Sequence, residues 1–153
     1  MTPVLKAFIE RHINLIEDNQ FEQLYELTWQ DYGDIEQGEL TEVLESCEIY
    51  PIEHVKNLPY RYYAHSNKEE IRIPPNITSI EPEIIAMSNV RILYLPKTIK
   101  VTGDEAFIRA YKLEKIVYEG TKEEFQQIQN ITRAGLRSIE IDCSDGSIVY
   151  WGP

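Results

Sequence analysis

Hydrophobic residues recur at helical spacing through the first third of the chain. Thr2 suits the N-cap of a helix that begins at Pro3, where proline is well tolerated. The apolar period predicts four helices: residues 3–18, about ten residues from Phe21, residues 40–47 and a short one over residues 52–58. "DYGD", at residues 31–34, is typical of a turn. Short helices joined by short loops favour a compact cluster.

After Pro59 the pattern changes to short β-rich runs. They are Ile71–Ile73, Ile92–Leu95, Ile116–Tyr118, Ile139–Ile141 and Ser147–Tyr150. Thr121–Glu124 has the pattern of a capping box and predicts one further helix. Asp145-Gly146 lies between the last two runs, which predicts a β-hairpin there.

Each of the first two β-rich runs begins a copy of the same repeat unit. "IRIPPNITSI" starts at residue 71 and "LYLPKTIKVT" at residue 93, and aligning them places proline on proline and isoleucine on isoleucine. A third unit around Ile116 follows with a one-residue slip, so the period is 22 to 23 residues. This period is in the range of leucine-rich repeats. One such unit cannot bury its apolar side alone, so neighbouring units must stack.

Three segments carry a family resemblance: "IPPNITSIEPEII", "LPKTIKVTGDEAF" and "LEKIVYEGTKEEFQQI". With the ending "CSDG", they resemble the short BspA-type leucine-rich repeats of bacterial and bacteriophage proteins, over residues 68–150. There are departures: Thr102 stands where isoleucine is usual, and Ser88 and Ala110 stand near the usual cysteine. The resemblance implies a repeat solenoid that binds protein and has no catalytic residues.

These patterns together predict an α+β chain of two domains. An acidic helical domain is expected over residues 1–60, and a short leucine-rich-repeat domain over residues 61–153. We expect the helical cluster to close one end of the solenoid. A C-terminal helix and β-hairpin would cap the other end, because exposed solenoid ends must be covered.

Charge separates the two parts of the chain. The net charge is -11, and residues 1–60 hold 13 acidic side chains against Lys6, Arg11 and Lys56. An acidic surface repels nucleic acid and anionic bilayers, so direct binding to either is not expected. The expected partner is another protein, and a basic protein surface would suit the acidic part.

One acidic row has two interpretations. Glu36, Glu39, Glu42 and Glu45 recur every three residues around the third predicted helix. A solvated helix face is the more common meaning of such a row. The alternative is a patch for a basic partner. In its sharpest form it would mimic nucleic acid and block a basic groove of a host nucleic-acid-binding protein, as a phage anti-defence (anti-CRISPR-like) inhibitor would.

Two further groups complete the candidate partner-binding surface. Around the domain boundary, Tyr60, Arg61, Tyr62 and Tyr63 are either interface anchors or a seal between the helices and the first repeat. On the predicted strands, the outward positions are Arg72, Tyr94 and Val117.

The sequence gives little support for catalysis or for metal binding. No phosphate-binding, nucleophile or metal motif is present, and His12, His54 and His65 are far apart in sequence. Cys47 and Cys143 have no metal-ligand spacing, and with no predicted secretory leader we expect them to be reduced in a cytoplasmic protein. The sequence thus predicts a non-enzymatic protein-interaction module without cofactor or metal.

Overall fold

The structure, a computed structural model, describes residues 1–30 and 34–150. Most of the predicted "DYGD" turn lies outside these ranges. Four helices come first: α1 (Pro3–Arg11), α2 (Ile13–Glu17), α3 (Phe21–Gln30) and α4 (Gln37–Ser46). Thr2 caps α1 as predicted, because its hydroxyl oxygen accepts the Leu5 N–H at 3.2 Å.

The prediction of one helix over residues 3–18 is wrong at His12. Its backbone leaves the helical region (φ -111°, ψ 25°), and its N–H bonds to the carbonyl oxygens of both Phe8 and Ile9. Such a tightened last turn ends α1 and starts α2. Leu5 and Phe8 of α1 and Ile16 of α2 are all buried in one core.

The predicted helix over residues 52–58 is also corrected. A 3-10 turn occupies Pro51–His54, and a two-residue strand, β1 (Asn57–Leu58), follows it. Strand β1 pairs in parallel with β3 (Ser79–Ile80), so the stacking of the coils already begins before residue 61. The predicted boundary at residue 60 lies inside this first half-coil, and the division into two domains stays a prediction.

The repeats form one five-stranded sheet. Its strands, in spatial order, are β2 (Glu70–Arg72), β4 (Ile92–Leu95), β6 (Lys115–Tyr118), β7 (Ile139–Cys143) and β8 (Gly146–Tyr150). The first four are parallel, and β8 returns antiparallel through the predicted hairpin. Ile71, Leu93, Ile116 and Ile141 share one register and are all buried. This confirms the predicted repeat and the α+β solenoid fold.

The other side of the solenoid was not predicted as strand. There β1, β3 and β5 (Val101–Thr102) form a small parallel sheet of two-residue strands, too short to show an alternating pattern. In the third coil α5 (Lys122–Gln126) takes their place. Its capping box is confirmed, because the Glu124 N–H donates to Thr121 Oγ1 and the Thr121 N–H donates to Glu124 Oε1, both at 3.1 Å.

The turn that leads from the small sheet to the next main-sheet strand uses left-handed backbone at residues other than glycine. The φ angles run from 55° to 62° at two columns of stacked positions: Arg61, Glu83 and Glu105, and His65, Met87 and Arg109. Such residues cost roughly 1–2 kcal/mol each. Hydrogen bonds between coils offset this cost; for example, the Met87 N–H donates to the Arg109 carbonyl oxygen at 2.9 Å.

Candidate protein-binding surfaces

The predicted sheet residues form one continuous row. Arg72 of β2 is the register partner of Tyr94 of β4, and Tyr94 is the partner of Val117 of β6. Arg72 is exposed, and Tyr94 and Val117 are half-buried beside their neighbours. The structure therefore brings the three residues together on the outward face of the main sheet, as the alternation of the strands predicted.

Tyr94 is held in place by its neighbours. The Arg72 guanidinium lies 3.8 Å from the centre of the Tyr94 ring, and the Tyr94 hydroxyl donates to Glu70 Oε1 at 3.0 Å. The hydrogen bond to Glu70 is the main cause that raises the pKa of Tyr94 above its ordinary value. Tyrosine and arginine are both enriched among the residues that anchor protein interfaces.

Tyr62 and Tyr63 are not surface residues, so their assignment as partner-binding residues is wrong. Tyr62 is fully buried and Tyr63 is 6% exposed. Their rings meet edge to face at 4.6 Å between centres, and the Tyr62 hydroxyl oxygen accepts the Ile52 N–H at 3.1 Å. Tyr25 of α3 packs against Tyr62 at 5.3 Å. The tyrosines seal the helices onto the first coil, which is the other interpretation of this segment.

Tyr60 and Arg61 lie at the edge of that seal. The Tyr60 hydroxyl donates to Glu83 Oε2 at 2.7 Å, and partial burial, followed by this bond, raises the pKa of Tyr60. The Arg61 guanidinium donates to His65 Nε2 at 3.1 Å and lies 3.4 Å from Glu36 Oε2. Arg61 is thus occupied within its own chain, whereas the Tyr60 ring still borders a groove.

The acidic row on α4 is not one free patch. Its two ends form ion pairs with the first coil, Glu36 with Arg61 and Glu45 with Lys68, the latter at 2.9 Å. Glu42 is exposed and Glu39 is half-buried. Two carboxylates with intramolecular counter-charges are a poor imitation of a run of phosphates, so the geometry does not favour the nucleic-acid mimic.

Sequence reasoning missed one groove. A cavity of about 650 Å³ separates α3 from the corners that follow β1 and β3. Trp29 stands at its edge with 65% of its surface exposed. Because Trp29 lies four residues after the buried Tyr25, the helical period places it at the border of the apolar stripe. Its exposure could not be predicted from spacing alone.

The described residues show no sign of a metal centre or of a membrane span. No group of three His, Cys, Asp or Glu side chains in residues 1–30 and 34–150 is placed to hold a metal ion. No helix in the same ranges is long and apolar enough to cross a bilayer. The histidines have separate neighbours: His12 packs on Phe8, His54 on Phe21, and His65 contacts Arg61.

The chain was compared with families, curated proteins and solved structures. A family model described as the BspA-type leucine-rich-repeat region, with six copies of the repeat, matches residues 16–132. The match begins within α2, earlier than the resemblance over residues 68–150 predicted. Neither the curated proteins nor the solved structures contain a match. The matched region covers most of the chain and includes the stacked strands β2, β4 and β6, and the chain therefore belongs to the BspA-type leucine-rich-repeat family.

Proposed function

We propose that the protein is a non-enzymatic interaction module that binds another protein through the outward face of its main sheet. One observation carries the proposal: Arg72, Tyr94 and Val117 lie in register across three parallel strands and remain accessible. Membership of a leucine-rich-repeat family supports the same conclusion, because stacked repeats present extended surfaces that such proteins use for binding.

The rigidity of this face favours binding. Its side chains stand on strands whose backbone groups are already paired, so little backbone entropy is lost when a partner docks. Tyr94 is fixed by Arg72 and Glu70, and a preorganised aromatic ring loses few rotamers on binding. We place the binding energy mainly on Tyr94 and Arg72, with Val117 extending the apolar contact.

The charges of the face indicate what kind of partner fits. Glu70, Glu140 and Asp142 share the outward face with Arg72 and Lys115, so the face has no strong net charge. A complex formed here should respond weakly to salt, whereas a complex formed on acidic helices should weaken steeply. Neither a nucleic acid nor a membrane surface suits such a mixed face.

The test compares two chemically equal pairs on the same molecule. The pair Arg72/Tyr94 lies on the sheet, and the pair Arg137/Tyr111 lies off it, with the guanidinium 5.5 Å from the ring centre. Partners are captured from the native host extract at low and high salt with the wild type and with each double alanine variant. The strongest captured partner is then titrated against all three proteins.

We expect R72A/Y94A to weaken that complex by about 30-fold or more, the effect of losing an interface hot spot. R137A/Y111A should bind like the wild type, and salt should have little influence. Equal binding by both variants would contradict the proposal. If reversing Glu39 and Glu42 to lysine abolished capture and salt did the same, the acidic helix would be the binding surface instead.

A further inference from the structure

The groove beside α3 is built from aromatic and proline side chains. Trp29 lies against Tyr60 with 5.2 Å between ring centres and a tilt of 57°. Pro59 and Pro82 form the adjoining wall where the coils turn their corner. An indole that is 65% exposed and already oriented by a second ring is a preformed platform for a flat group.

Carboxylates surround this platform. Glu22, Glu26 and Glu81 line the groove, and no described lining residue is Lys or Arg. Their hydrogen-bond donors are neutral: the Lys56 backbone N–H for Glu22, the Gln30 amide for Glu26 and the Asn57 amide for Glu81. By contrast, Glu36, Glu45 and Glu83 each lie within 4 Å of a basic side chain of the same protein.

We propose that this groove binds an arginine side chain from an extended segment of a partner protein. The guanidinium stacks on Trp29 and Tyr60, and its edge donates to Glu26 and Glu81. A guanidinium suits the site because it is planar, weakly hydrated and able to pair with a carboxylate while it stacks on an aromatic face. A lysine ammonium lacks the flat surface and binds less tightly here.

The groove is separate from the sheet face. It is formed by α3 and the corners after β1 and β3, and it shares no residue with the row Arg72, Tyr94 and Val117. The inference therefore does not depend on the proposed function of the sheet. It also gives a role to the acidic residues of the N-terminal helices. The acidic row on α4 does not supply such a role, because its two ends are ion-paired within the chain.

The experiment uses the full chain with Trp151→Phe, which leaves Trp29 as the only tryptophan. The probe is an acetylated and amidated Gly-Leu-Arg-Leu-Gly peptide, titrated while indole fluorescence is recorded. A second peptide carries citrulline in place of arginine, which keeps the shape and removes the charge. A third carries lysine.

We expect saturable quenching by the arginine peptide at low salt, weaker binding of the lysine peptide and at least about tenfold weaker binding of the citrulline peptide, given the strength of a partly desolvated cation–π contact. E26Q/E81Q should weaken the arginine peptide by a similar factor. The matched control E10Q/E42Q removes two exposed charges outside the groove and should change binding little. W29A, followed by peptide NMR because its reporter is gone, should also lose binding.

Three outcomes would overturn the inference. Equal affinity for the citrulline and arginine peptides would make the groove an apolar pocket. Equal weakening by E10Q/E42Q and E26Q/E81Q would mean that net charge alone attracts the peptide. Absence of saturable quenching at millimolar arginine peptide would show that the groove has no cation site. None of these measurements uses the R72A/Y94A variant, so the groove and the sheet face are tested independently.

Discussion

The interior of the repeats and the junction with the helices are stabilised by different contacts. In the repeats, aliphatic side chains at one register position stack coil upon coil: Ile71, Leu93, Ile116 and Ile141. At the junction, side chains of different elements meet instead: α3, α4 and the first coil pack around Tyr25, Tyr62 and Tyr63. A regular stack needs only apolar residues of the right period, whereas a unique seam needs specific partners.

Buried hydrogen bonds mark the seam. The Tyr25 hydroxyl is paired with Thr41 Oγ1, Gln37 Nε2 donates to Thr28 Oγ1 at 3.0 Å, and the Thr28 hydroxyl donates to the Tyr25 carbonyl oxygen. These residues are all nearly inaccessible to solvent. Buried polar networks that are satisfied give specificity, and disturbing one member leaves others unpaired. We expect the junction to be sensitive to charge and to shape, and the repeats to be sensitive mainly to volume.

Alkaline pH should have the largest effect and should act on the junction. Burial, the first cause in each case, raises the pKa of Tyr25, Tyr62 and Tyr63 well above the ordinary value near 10. A raised pKa in the folded state means that the stabilisation is complete below about pH 10 and is lost as pH rises toward the folded-state values. The loss is roughly 1.4 kcal/mol per buried tyrosine per pH unit, so we predict unfolding soon above pH 10.

Phenolate absorbance and circular dichroism, recorded together, check this prediction. The exposed tyrosines among the ten in the chain should titrate first, and the buried ones should titrate only with the loss of structure. Tyr63→Phe removes one buried titrating group and should move the unfolding midpoint to higher pH. Tyr111→Phe, at a 63% exposed position, should leave it unchanged. Smooth titration of every tyrosine without unfolding would contradict the sealed junction.

Leu93→Ala should be the most damaging single change in the repeats. Leu93 is fully buried and lies between Ile71 and Ile116 in the ladder, so its loss leaves a cavity shared by three coils. We expect a loss of about 3 to 4 kcal/mol in the free energy of unfolding. Denaturant unfolding measures it.

Ile92→Ala is the control on the same strand. Ile92 points to the outward face and is half-buried, so about 1 kcal/mol is expected from its smaller buried area. If both substitutions cost the same, the inward side of the strand would not be the main core.

Gly38→Ala should break the close approach of α4 to the first coil. A Cβ at Gly38 would overlap the Ala64 carbonyl oxygen, which is backbone and cannot rotate away. Glycine to alanine inside a helix ordinarily stabilises by about 1 kcal/mol. Here we predict a loss of about 3 kcal/mol from overpacking, which reverses the usual sign. Glu42→Ala, at an exposed site of the same helix, should be nearly neutral, and a gain in stability from Gly38→Ala would refute the close contact.

The difference between the two regions also decides how much of the fold could be predicted. The repeat gives the register directly: the alignment of Leu93 with Ile116 and of Leu95 with Tyr118 is the pairing found between β4 and β6. The break at His12 and the strand at Asn57–Leu58 depend on contacts with distant segments. The spacing of apolar residues carries no information about such contacts.

The candidate surfaces divide in the same way. Arg72, Tyr94 and Val117 could be placed on one face because alternation along a strand fixes the direction of each side chain. Tyr60 and Tyr62 were not separated because the repeat was aligned only from Ile71. In the structure their turn stacks on the equivalent turn at Glu83, and there Tyr62 points inward while Tyr60 borders the groove. The groove itself joins α3 to corners after β1 and β3, and no local pattern connects them.

The smallest predicted effect concerns Thr102, the one buried polar residue on the strands that the structure describes. Thr102 is 1% exposed, and its hydroxyl finds no hydrogen-bond partner among the residues that the structure describes. Thr102→Val keeps the shape and removes the buried hydroxyl, so we expect a gain of about 1 kcal/mol in the free energy of unfolding. Thr98→Val is the matched control, four residues earlier in the same coil. The Thr98 hydroxyl donates to the Ile77 carbonyl oxygen at 2.8 Å, so its loss should cost about 1 kcal/mol. Opposite signs for the same substitution, measured by thermal and denaturant unfolding, would show that a coil gains stability only where the buried polar group that is removed has no partner. A loss at both positions would mean that Thr102 also depends on a partner, and that the contrast between the two regions is one of degree.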